Sequence, residues 1–259
     1  STIIMIDIYS IKYGGRLIHA VEDDFGSIEI IDIQQSLRSM HFGNSTQQAT
    51  MSLENPNQLI HQYTEAMLLP LCWLTPNRTL MLGLGGGSMA KFIHHHVPGG
   101  HLDAVELRHS VVQLAHDYFQ LAEPNDSLSI HTEKAEEFIS TADNKPYYDL
   151  IIVDLFLTKQ NATVTIPLTQ HLTKLKSMLT KTGQICINIM GHHFKYNGYQ
   201  QLQKLFPKAL YVVTADVNNF ILIGGKQPIP ESKTIDFSGK EIQYNLPFQE
   251  HYSKLTRQR

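Results

Sequence analysis

The stretch from Thr79 to Ser88, TLMLGLGGGS, constrains the fold more than any other part of the chain. It begins as a short apolar run typical of a buried strand, and it then enters a cluster of glycines, which follow turns that other residues resist. From Ser88 onward apolar residues recur at helical spacing. The glycines therefore join a strand to a helix N-terminus, where free backbone N–H groups can meet a ligand. A turn of this kind is typical of nucleotide-binding proteins.

The spacing of the glycines leaves the kind of nucleotide open. In the dinucleotide fold the pattern is GxGxxG, and the third glycine lets the helix pack against the strand. Gly83 and Gly85 fit this pattern, but Ser88 occupies the third glycine position. The pattern Gly83-x-Gly85-x-Gly87 suits a ligand without a pyrophosphate equally well. We expect these three glycines to border the ligand.

A second strand is predicted over His101 to Leu107, and Glu106 lies at its carboxyl end. This acid follows the first glycine by about 20 residues, the place where a carboxylate would bind a ribose diol. Such a carboxylate accepts two hydrogen bonds from the 2′- and 3′-hydroxyls and repels a 2′-phosphate. We therefore expect the adenosine part of a ligand at this point.

Composition limits the classes of protein and partner. Hydrophobic residues make up 42% and charged residues 17% of the 259 residues, the balance of a soluble globular protein. A net charge of −3 gives no basic footprint for nucleic acid or an anionic membrane. Cys72 and Cys186 lie far apart in apolar segments, which is typical of reduced core residues and predicts a cytoplasmic setting. The sequence shows no signal-peptide pattern and no apolar stretch of about 18 residues.

The first 57 residues differ from the rest of the chain. Short Ile-rich runs, separated by turn signals such as Asp23-Asp24-Phe25-Gly26, predict an antiparallel β-unit that ends at roughly Phe42. A loop is expected from Gly43 to Asn57. Apolar residues on one helical face then predict a helix from Gln58 to Trp73, in which Pro70 can introduce a kink.

Strands and helices alternate regularly from Thr79 onward, which predicts a doubly wound, mostly parallel Rossmann-like sheet within an α/β domain over residues 58–226. The last two strands are close enough to pair as neighbours. Residues 227–259 are expected to form a loosely attached C-terminal tail with a short helix near Phe248 to Leu255. The predicted strands cover 79–82, 101–107, 127–132, 148–154, 184–190, 209–214 and 219–223, and the predicted helices 88–96, 110–119, 135–140, 168–179 and 198–206.

Ligands of such sheets bind at the carboxyl ends of the strands. Those ends supply the glycines, Glu106, Glu133 and Asp154. For Glu106 we favour a ligand contact over a solvated charge, whereas for Glu133 the two interpretations are balanced, and Asp154 alone could cap the following turn. Residues Leu155 to Pro167 show no clear periodicity, and a mobile lid is one interpretation of them. No Cys or His spacing predicts a metal site.

With these residues in place, the sequence resembles the spermidine synthase (polyamine aminopropyltransferase) family, and most closely its spermidine-synthase-like branch. The resemblance runs from roughly Gly26 to Gly191 through LRSMHFGNSTQQA, QYTEAML, LMLGLGGGS, AVEL and YYDLIIVDLF. It implies a class I AdoMet methyltransferase-type fold with a small N-terminal antiparallel β-domain. It also implies a homodimer, a small-molecule amine acceptor, and AdoMet or decarboxylated AdoMet as co-substrate.

The resemblance assigns roles to individual positions. It implies that Gln47 (or Gln48), Tyr63 and Glu65 line the aminopropyl and amine pocket, and that Asp154 is the first carboxylate after strand four. The implied catalytic set is Asp154, Tyr63 and Glu65, and the implied cofactor-binding set is Gln47, Gly83, Gly85, Gly87, Glu106, Leu107, Glu133 and Asp154.

Three positions depart from the family pattern. Gly86 stands where the GGGDGG motif has an Asp, Thr64 follows the tyrosine in place of His, and Leu157 replaces the second Asp of the strand-four motif. Aminopropyl transfer needs a neutral amine, although the free pKa of such an amine is about 10, so a buried acid must accept its proton. Glu65 and Asp154 remain for this task.

Three other functions are consistent with parts of this pattern. An AdoMet-dependent methyltransferase would keep the fold and the cofactor and would tolerate Gly86 and Leu157. A non-catalytic homologue would retain only the nucleoside pocket. An NAD oxidoreductase ranks last, because its glycine turn would normally follow the first strand of the chain, whereas here a β-unit and a helix come first.

Overall fold

A computed structural model describes residues 10–143, 145–155, 166–190, 198–215 and 219–258. Leu157 and most of the predicted lid lie outside these ranges. The N-terminal unit is a five-stranded antiparallel sheet in which the strands follow one another in chain order. Its strands are β1 (Ile11–Lys12), β2 (Gly15–Asp23), β3 (Gly26–Ile33), β4 (Leu37–His41) and β5 (Gln47–Ser52).

Strand β5 corrects the prediction of a continuous loop from Gly43 to Asn57. The strand pairs with β4 in antiparallel register. Its successive residues Ala49, Thr50 and Met51 are all buried, so both faces of the strand are covered. A strand covered on both faces lacks the alternation of apolar and polar residues by which a half-buried strand is recognised.

The second sheet has eight strands in the order β13-β11-β12-β10-β9-β6-β7-β8. The strands from β6 to β10 pair in parallel, whereas β12 and β11 add antiparallel partners at one side. This confirms the mostly parallel Rossmann-like sheet and the pairing of the two late strands. The bounds are β6 Arg78–Leu82, β7 His101–Glu106, β8 Leu128–Thr132, β9 Tyr148–Val153, β10 Leu179–Met190, β11 Leu210–Thr214, β12 Asn219–Gly225 and β13 Leu255–Arg257.

Helices cover this sheet and pack into apolar layers on its two faces. None of the helices in the described ranges is long and apolar enough to cross a bilayer. The helices are α1 Gln62–Met67, α2 Ser88–His96, α3 His109–Phe119, α4 Ala135–Thr141, α5 Leu172–Met178, α6 Tyr199–Leu205, α7 Phe237–Tyr244 and α8 Phe248–Ser253.

Two predicted helices are shorter than expected. The helix predicted from Gln58 to Trp73 is reduced to α1 and a 3₁₀ turn over Leu69–Cys72. Pro70 has no N–H to donate and disfavours a helical conformation at the preceding residue. Leu168, where a helix was predicted to begin, has a left-handed φ of 58°, so α5 starts only after a 3₁₀ turn at Thr169–His171.

The C-terminal segment is not a loosely attached tail. Tyr244 and Phe248 are 1% and 0% exposed and belong to the main apolar core. Strand β13 pairs with β11 and extends the large sheet. Pro228 and Pro230 precede these elements, and the buried side chains of Tyr244 on α7 and Phe248 on α8 attach the segment to the domain.

Candidate active site

The candidate site lies at the carboxyl ends of β9, β6, β7 and β8. The chain order of the strands reverses between β6 and β9, and ligands of open α/β sheets bind at such a reversal. The backbone N–H of Asp154 donates to the Leu82 carbonyl at 2.9 Å, and that of Glu133 donates to the Glu106 carbonyl at 3.1 Å. The glycines and the three acids that sequence analysis placed at strand ends therefore lie along one edge of the sheet.

The glycine turn, residues 83–87, fits closely against the end of β9. Gly83 has a φ of +95°, and a Cβ at this position would lie 2.1 Å from the backbone oxygen of Asp154. No other residue type fits without moving the backbone. Gly87 then begins α2 from a left-handed conformation. The turn is thus fixed between the reversal point of the sheet and a helix N-terminus.

Glu106 is anchored beneath this turn. One carboxylate oxygen accepts hydrogen bonds from the backbone N–H groups of Leu84 at 3.1 Å and Gly85 at 3.4 Å, and the other accepts from that of Arg108 at 3.0 Å. A carboxylate has about four acceptor positions, so one is left for a further donor such as a ribose hydroxyl. Leu107, the next residue, is 41% exposed and presents apolar surface beside the acid.

Asp154 is the centre of a hydrogen-bond network on the other side of the turn. Its oxygens accept from the Tyr63 hydroxyl at 3.3 Å and from the Asn188 amide at 2.8 Å, and the Asn188 oxygen accepts from the Asn219 amide at 2.9 Å. Burial raises the pKa of the Asp154 carboxyl, and the donors Asn188 and Tyr63 offset part of that rise. The side chain can therefore serve as a proton acceptor.

Asn188 and Asn219 were not among the predicted site residues. Asn188 is the one polar residue in the apolar run ICINIM at the end of β10. An isolated amide in a buried strand needs a hydrogen-bond partner, so this position carried a usable signal.

The structure separates Glu65 from Tyr63. Both lie on α1, but residues two apart on a helix face different directions. Glu65 Oε2 lies 3.1 Å from Nε2 of His251, a buried residue of α8. No feature of the sequence pointed to His251. The hydrogen bond observed for Glu65 thus leads to the C-terminal segment, whereas that of Tyr63 leads to Asp154.

The two candidate glutamines occupy different environments. Gln47 is exposed, and its side-chain oxygen accepts from the Thr50 hydroxyl at 3.0 Å. The Gln48 carbonyl faces the glycine turn, and the nitrogen of its side-chain amide is buried without a partner among the described residues. Gln48 is therefore the glutamine with hydrogen-bonding capacity to spare near the site.

Gly86, at the position of the family's acidic residue, is closed to any side chain. A Cβ there would lie 2.6 Å from the Cβ of Ala49 and 3.1 Å from the ring of Phe119. The volume that an aspartate would need is already filled by β5 and α3.

Arg108 joins the site to the N-terminal sheet. Its guanidinium donates to the Asp23 carboxylate at 2.8 and 3.1 Å and to the Gly26 carbonyl at 2.7 Å, and it lies over the ring of Phe42. Burial would raise the pKa of the Asp23 carboxyl, but the hydrogen bonds from Arg108 and the Phe25 backbone, together with the charge of Arg108, leave that pKa lowered. The tip of the β2–β3 hairpin is thus bound by a residue that follows Glu106 by two positions in the chain.

Within the described ranges, no group of three or more His, Cys, Asp and Glu side chains is arranged to hold a metal ion.

Comparison with known proteins finds similarity to aminopropyltransferases. It is 32% identical over 142 residues to the polyamine aminopropyltransferase of Chromobacterium violaceum and so spans about half of that relative, 53%. It is 25% identical over 226 residues to the enzyme of the same name from Neisseria meningitidis, covering 85% of this chain and 84% of the relative. The crystal structure of a probable spermidine synthase from Corynebacterium glutamicum superposes with a TM-score of 0.69 at 18% identity, over 87% and 86% of the two chains. The sequence and the fold are thus similar to those of spermidine-synthase-like proteins.

Methyltransferases are also similar to this chain. The human eEF1A lysine and N-terminal methyltransferase is 29% identical over 171 residues, which are 61% of this chain and 24% of the relative. The crystal structure of human methyltransferase-like protein 13 in complex with SAH superposes with a TM-score of 0.52 at 26% identity, over 76% and 90% of the chains. These matches agree with the methyltransferase-type fold. No protein-family profile matches the chain.

A spermidine synthase solved in complex with the transition-state analogue AdoDATO has the same fold, with a TM-score of 0.69 at 16% identity over 94% of this chain and 86% of that one.

Proposed function

We propose that this spermidine-synthase-like protein is a transferase that binds an adenosyl sulfonium and moves its aminopropyl group to an amine. The observation that carries the proposal is the position of Asp154. Burial raises the pKa of its carboxyl, and the residue lies one strand away from the glycine turn and two strands away from Glu106. A proton acceptor beside a nucleoside seat is the arrangement that transfer to an amine requires.

The nucleoside end of the proposed site is formed by the glycine turn, Glu106 and Leu107, with Glu133 on the neighbouring strand. Glu106 would accept a hydrogen bond from a ribose hydroxyl, and Leu107 would pack against the purine. AdoMet, decarboxylated AdoMet and methylthioadenosine share this part. Relatives with the fold support an AdoMet-type ligand, since one is solved with SAH and another with AdoDATO.

The amine end of the proposed site is centred on Asp154. The amine nitrogen attacks the carbon next to the sulfonium, the carbon–sulfur bond breaks, and the sulfur leaves as a neutral thioether. The nitrogen must lose a proton in the process, and Asp154 would accept it. Tyr63 and Asn188 fix the carboxylate by hydrogen bonds to its two oxygens.

A ligand panel tests the nucleoside end. Thermal unfolding is measured with AdoMet, decarboxylated AdoMet, methylthioadenosine and NAD, because a ligand at 100 times its dissociation constant stabilises by about 2.7 kcal/mol. We expect stabilisation by adenosyl sulfur compounds, strongest with the decarboxylated form, and none by NAD. Indifference to every adenosyl compound would refute the proposal.

Asp154→Asn tests the amine end. We expect the variant to bind the adenosyl ligand as well as the wild type and to lose at least about 100-fold in kcat/KM with alkyl mono- and diamines, the lower range for general-base catalysis. Unchanged turnover in Asp154→Asn would remove the proposed role.

Methyl transfer is the second candidate, and the closed Gly86 position favours it. With Ala49 and Phe119 in the way, the turn offers no acid for the terminal amine of a decarboxylated ligand. Methyltransferases are also among the relatives. Stronger stabilisation by AdoMet than by its decarboxylated form, together with methylation of an amine, would establish this alternative. Adenosyl binding without any turnover would indicate a non-catalytic homologue.

The partners proposed for the protein are a small-molecule amine and a second copy of the chain. Neither nucleic acid nor a membrane is a proposed partner, and a cytoplasmic location is part of the same proposal. Sedimentation of the purified protein measures whether a homodimer forms.

A further inference from the structure

Helix α1 brings Tyr63 to Asp154, yet it has only six residues. Helices shorter than about 12 residues are marginal by themselves. At its start, Nε2 of the N-cap residue His61 lies 2.9 Å from the Thr50 hydroxyl of β5. The orientation of α1 therefore depends on the contacts that its side chains make with other elements.

His251 provides such a contact from α8. The residue is 1% exposed, and its Nε2 lies 3.1 Å from Glu65 Oε2 on α1. Its Nδ1 has no partner among the described residues, and an unpaired buried polar atom costs about 1–3 kcal/mol. Elsewhere α8 is anchored in the apolar core by Phe248. An apolar side chain could fill this position of α8, but only a polar group such as the imidazole can bond to Glu65.

We propose that His251 is a positioning residue that acts through Glu65 to hold α1, and with it the Tyr63 hydroxyl, against Asp154. Its catalytic meaning rests on the function proposed above. The inference makes the C-terminal segment part of the amine end of the site. It also gives Glu65 a role different from the amine contact that family resemblance implies, because its carboxylate is paired with His251.

Three variants test the kinetic consequence. His251→Leu removes the bond, His251→Gln keeps an N–H donor, and Glu250→Gln changes an exposed neighbour whose salt bridge is to Lys254. We expect His251→Leu to lower kcat/KM for the amine by about tenfold or more, as misplaced catalytic groups do. We expect His251→Gln to keep most of the wild-type kcat/KM and Glu250→Gln to keep all of it. Stabilisation by the adenosyl ligand should be unchanged in all three variants.

The pH profile supplies a signature that a purely structural role would not produce. The Tyr63 hydrogen bond lowers the pKa of the Asp154 carboxyl. Losing it in His251→Leu should therefore move the acid limb of kcat/KM to higher pH, and Tyr63→Phe should produce the same shift. A His251→Leu variant with reduced melting temperature but wild-type kcat/KM and acid limb would overturn the inference.

Hydrogen exchange tests whether His251 holds α1 in position, and it does so without an activity assay. We expect the amides of residues 62–68 to exchange faster in His251→Leu than in the wild type, and those of β6 and β7 to exchange at the same rate. Unaltered exchange over residues 62–68 would contradict the inference. If the wild type transfers nothing to any amine, the proposed function fails, whereas the exchange measurement still decides whether His251 positions α1.

Discussion

Among single side chains, Asp154 is the one whose protonation state controls the proposed reaction. Burial raises the pKa of its carboxyl above the ordinary 3.8, and only the deprotonated form accepts a proton from the amine. Activity should therefore be present above the raised pKa and lost as pH falls through it.

The Asn188 amide gives this pH dependence a direct test. Because its hydrogen bond lowers the pKa of the Asp154 carboxyl, Asn188→Leu should shift the acid limb of the kcat/KM profile to higher pH. Ile187→Val, a neighbour on β10 whose side chain points to the other face of the sheet, serves as the control and should leave the limb in place. A limb that stays fixed in Asn188→Leu would show that the network does not tune Asp154.

Gly83 is a second position where one atom matters. A Cβ there meets the Asp154 backbone oxygen at 2.1 Å, and the φ of +95° is itself unfavourable for alanine. We expect Gly83→Ala to lose more than about 2 kcal/mol of unfolding free energy in urea, since left-handed strain alone costs about 1–2 kcal/mol. Gly99→Ala, with a φ of +83° and no atom within 4 Å, measures that strain by itself. Equal losses in the two variants would argue against the clash.

Residues of the candidate site differ in how much the sequence reveals of them. Glu106 and Asp154 were predicted because strand ends converge in any parallel sheet. His251 and Arg108 were not, because the partners Glu65 and Asp23 lie 186 and 85 residues away in the chain. No local pattern encodes a contact across such distances.

Secondary-structure elements explain why an acid is missing from the glycine turn. Strand β5 places Ala49 against Gly86, and α3 places Phe119 there as well. We expect Gly86→Asp to destabilise the protein by about 1–3 kcal/mol, as overpacking does, and to leave its ligand preference unchanged. Ala49→Gly removes the nearest atom, so the double variant should recover part of the unfolding free energy. A fully stable Gly86→Asp protein in chemical denaturation would contradict the packing described here.

Elements with a regular period were predicted well, and those shaped by tertiary contact were not. The strands from β6 to β12 lie on the predicted apolar runs, although β10 begins at Leu179, five residues before the predicted start at Gln184. Strand β5 was missed because it is covered on both faces, and α1 was overextended because the apolar pattern continues past the point where Pro70 ends the helix. The three-residue β13 is too short to have a period at all.

At the scale of the whole molecule, the buried Lys91 on α2 connects segments that are far apart in the chain. Its ammonium donates to the Pro56 carbonyl at 2.8 Å and to the Phe119 carbonyl at 2.6 Å. Burial lowers its pKa from 10.5 to about 8. Between these two values the unfolded chain binds more protons than the folded one, so this group makes stability rise with pH across that window.

Lys91→Met should abolish this rise. We expect the difference in unfolding free energy between wild type and variant to be constant below about pH 8 and to change in favour of the wild type from there toward pH 10.5. Urea denaturation at a series of pH values measures it, and Lys254→Met, at a half-exposed position on the surface, provides the comparison. A difference independent of pH would mean that Lys91 keeps an ordinary pKa.

The hydrogen bonds from Arg108 to the β2–β3 hairpin have a consequence for protein engineering. The backbone N–H of Arg108 donates to Glu106, and its guanidinium donates to Asp23. The small sheet therefore cannot be exchanged as an independent module. A chimaera that receives its first 57 residues from another protein must bring an acid at the hairpin tip. Without that acid, the chimaera would leave the buried guanidinium of Arg108 without a counter-charge, two residues away from Glu106.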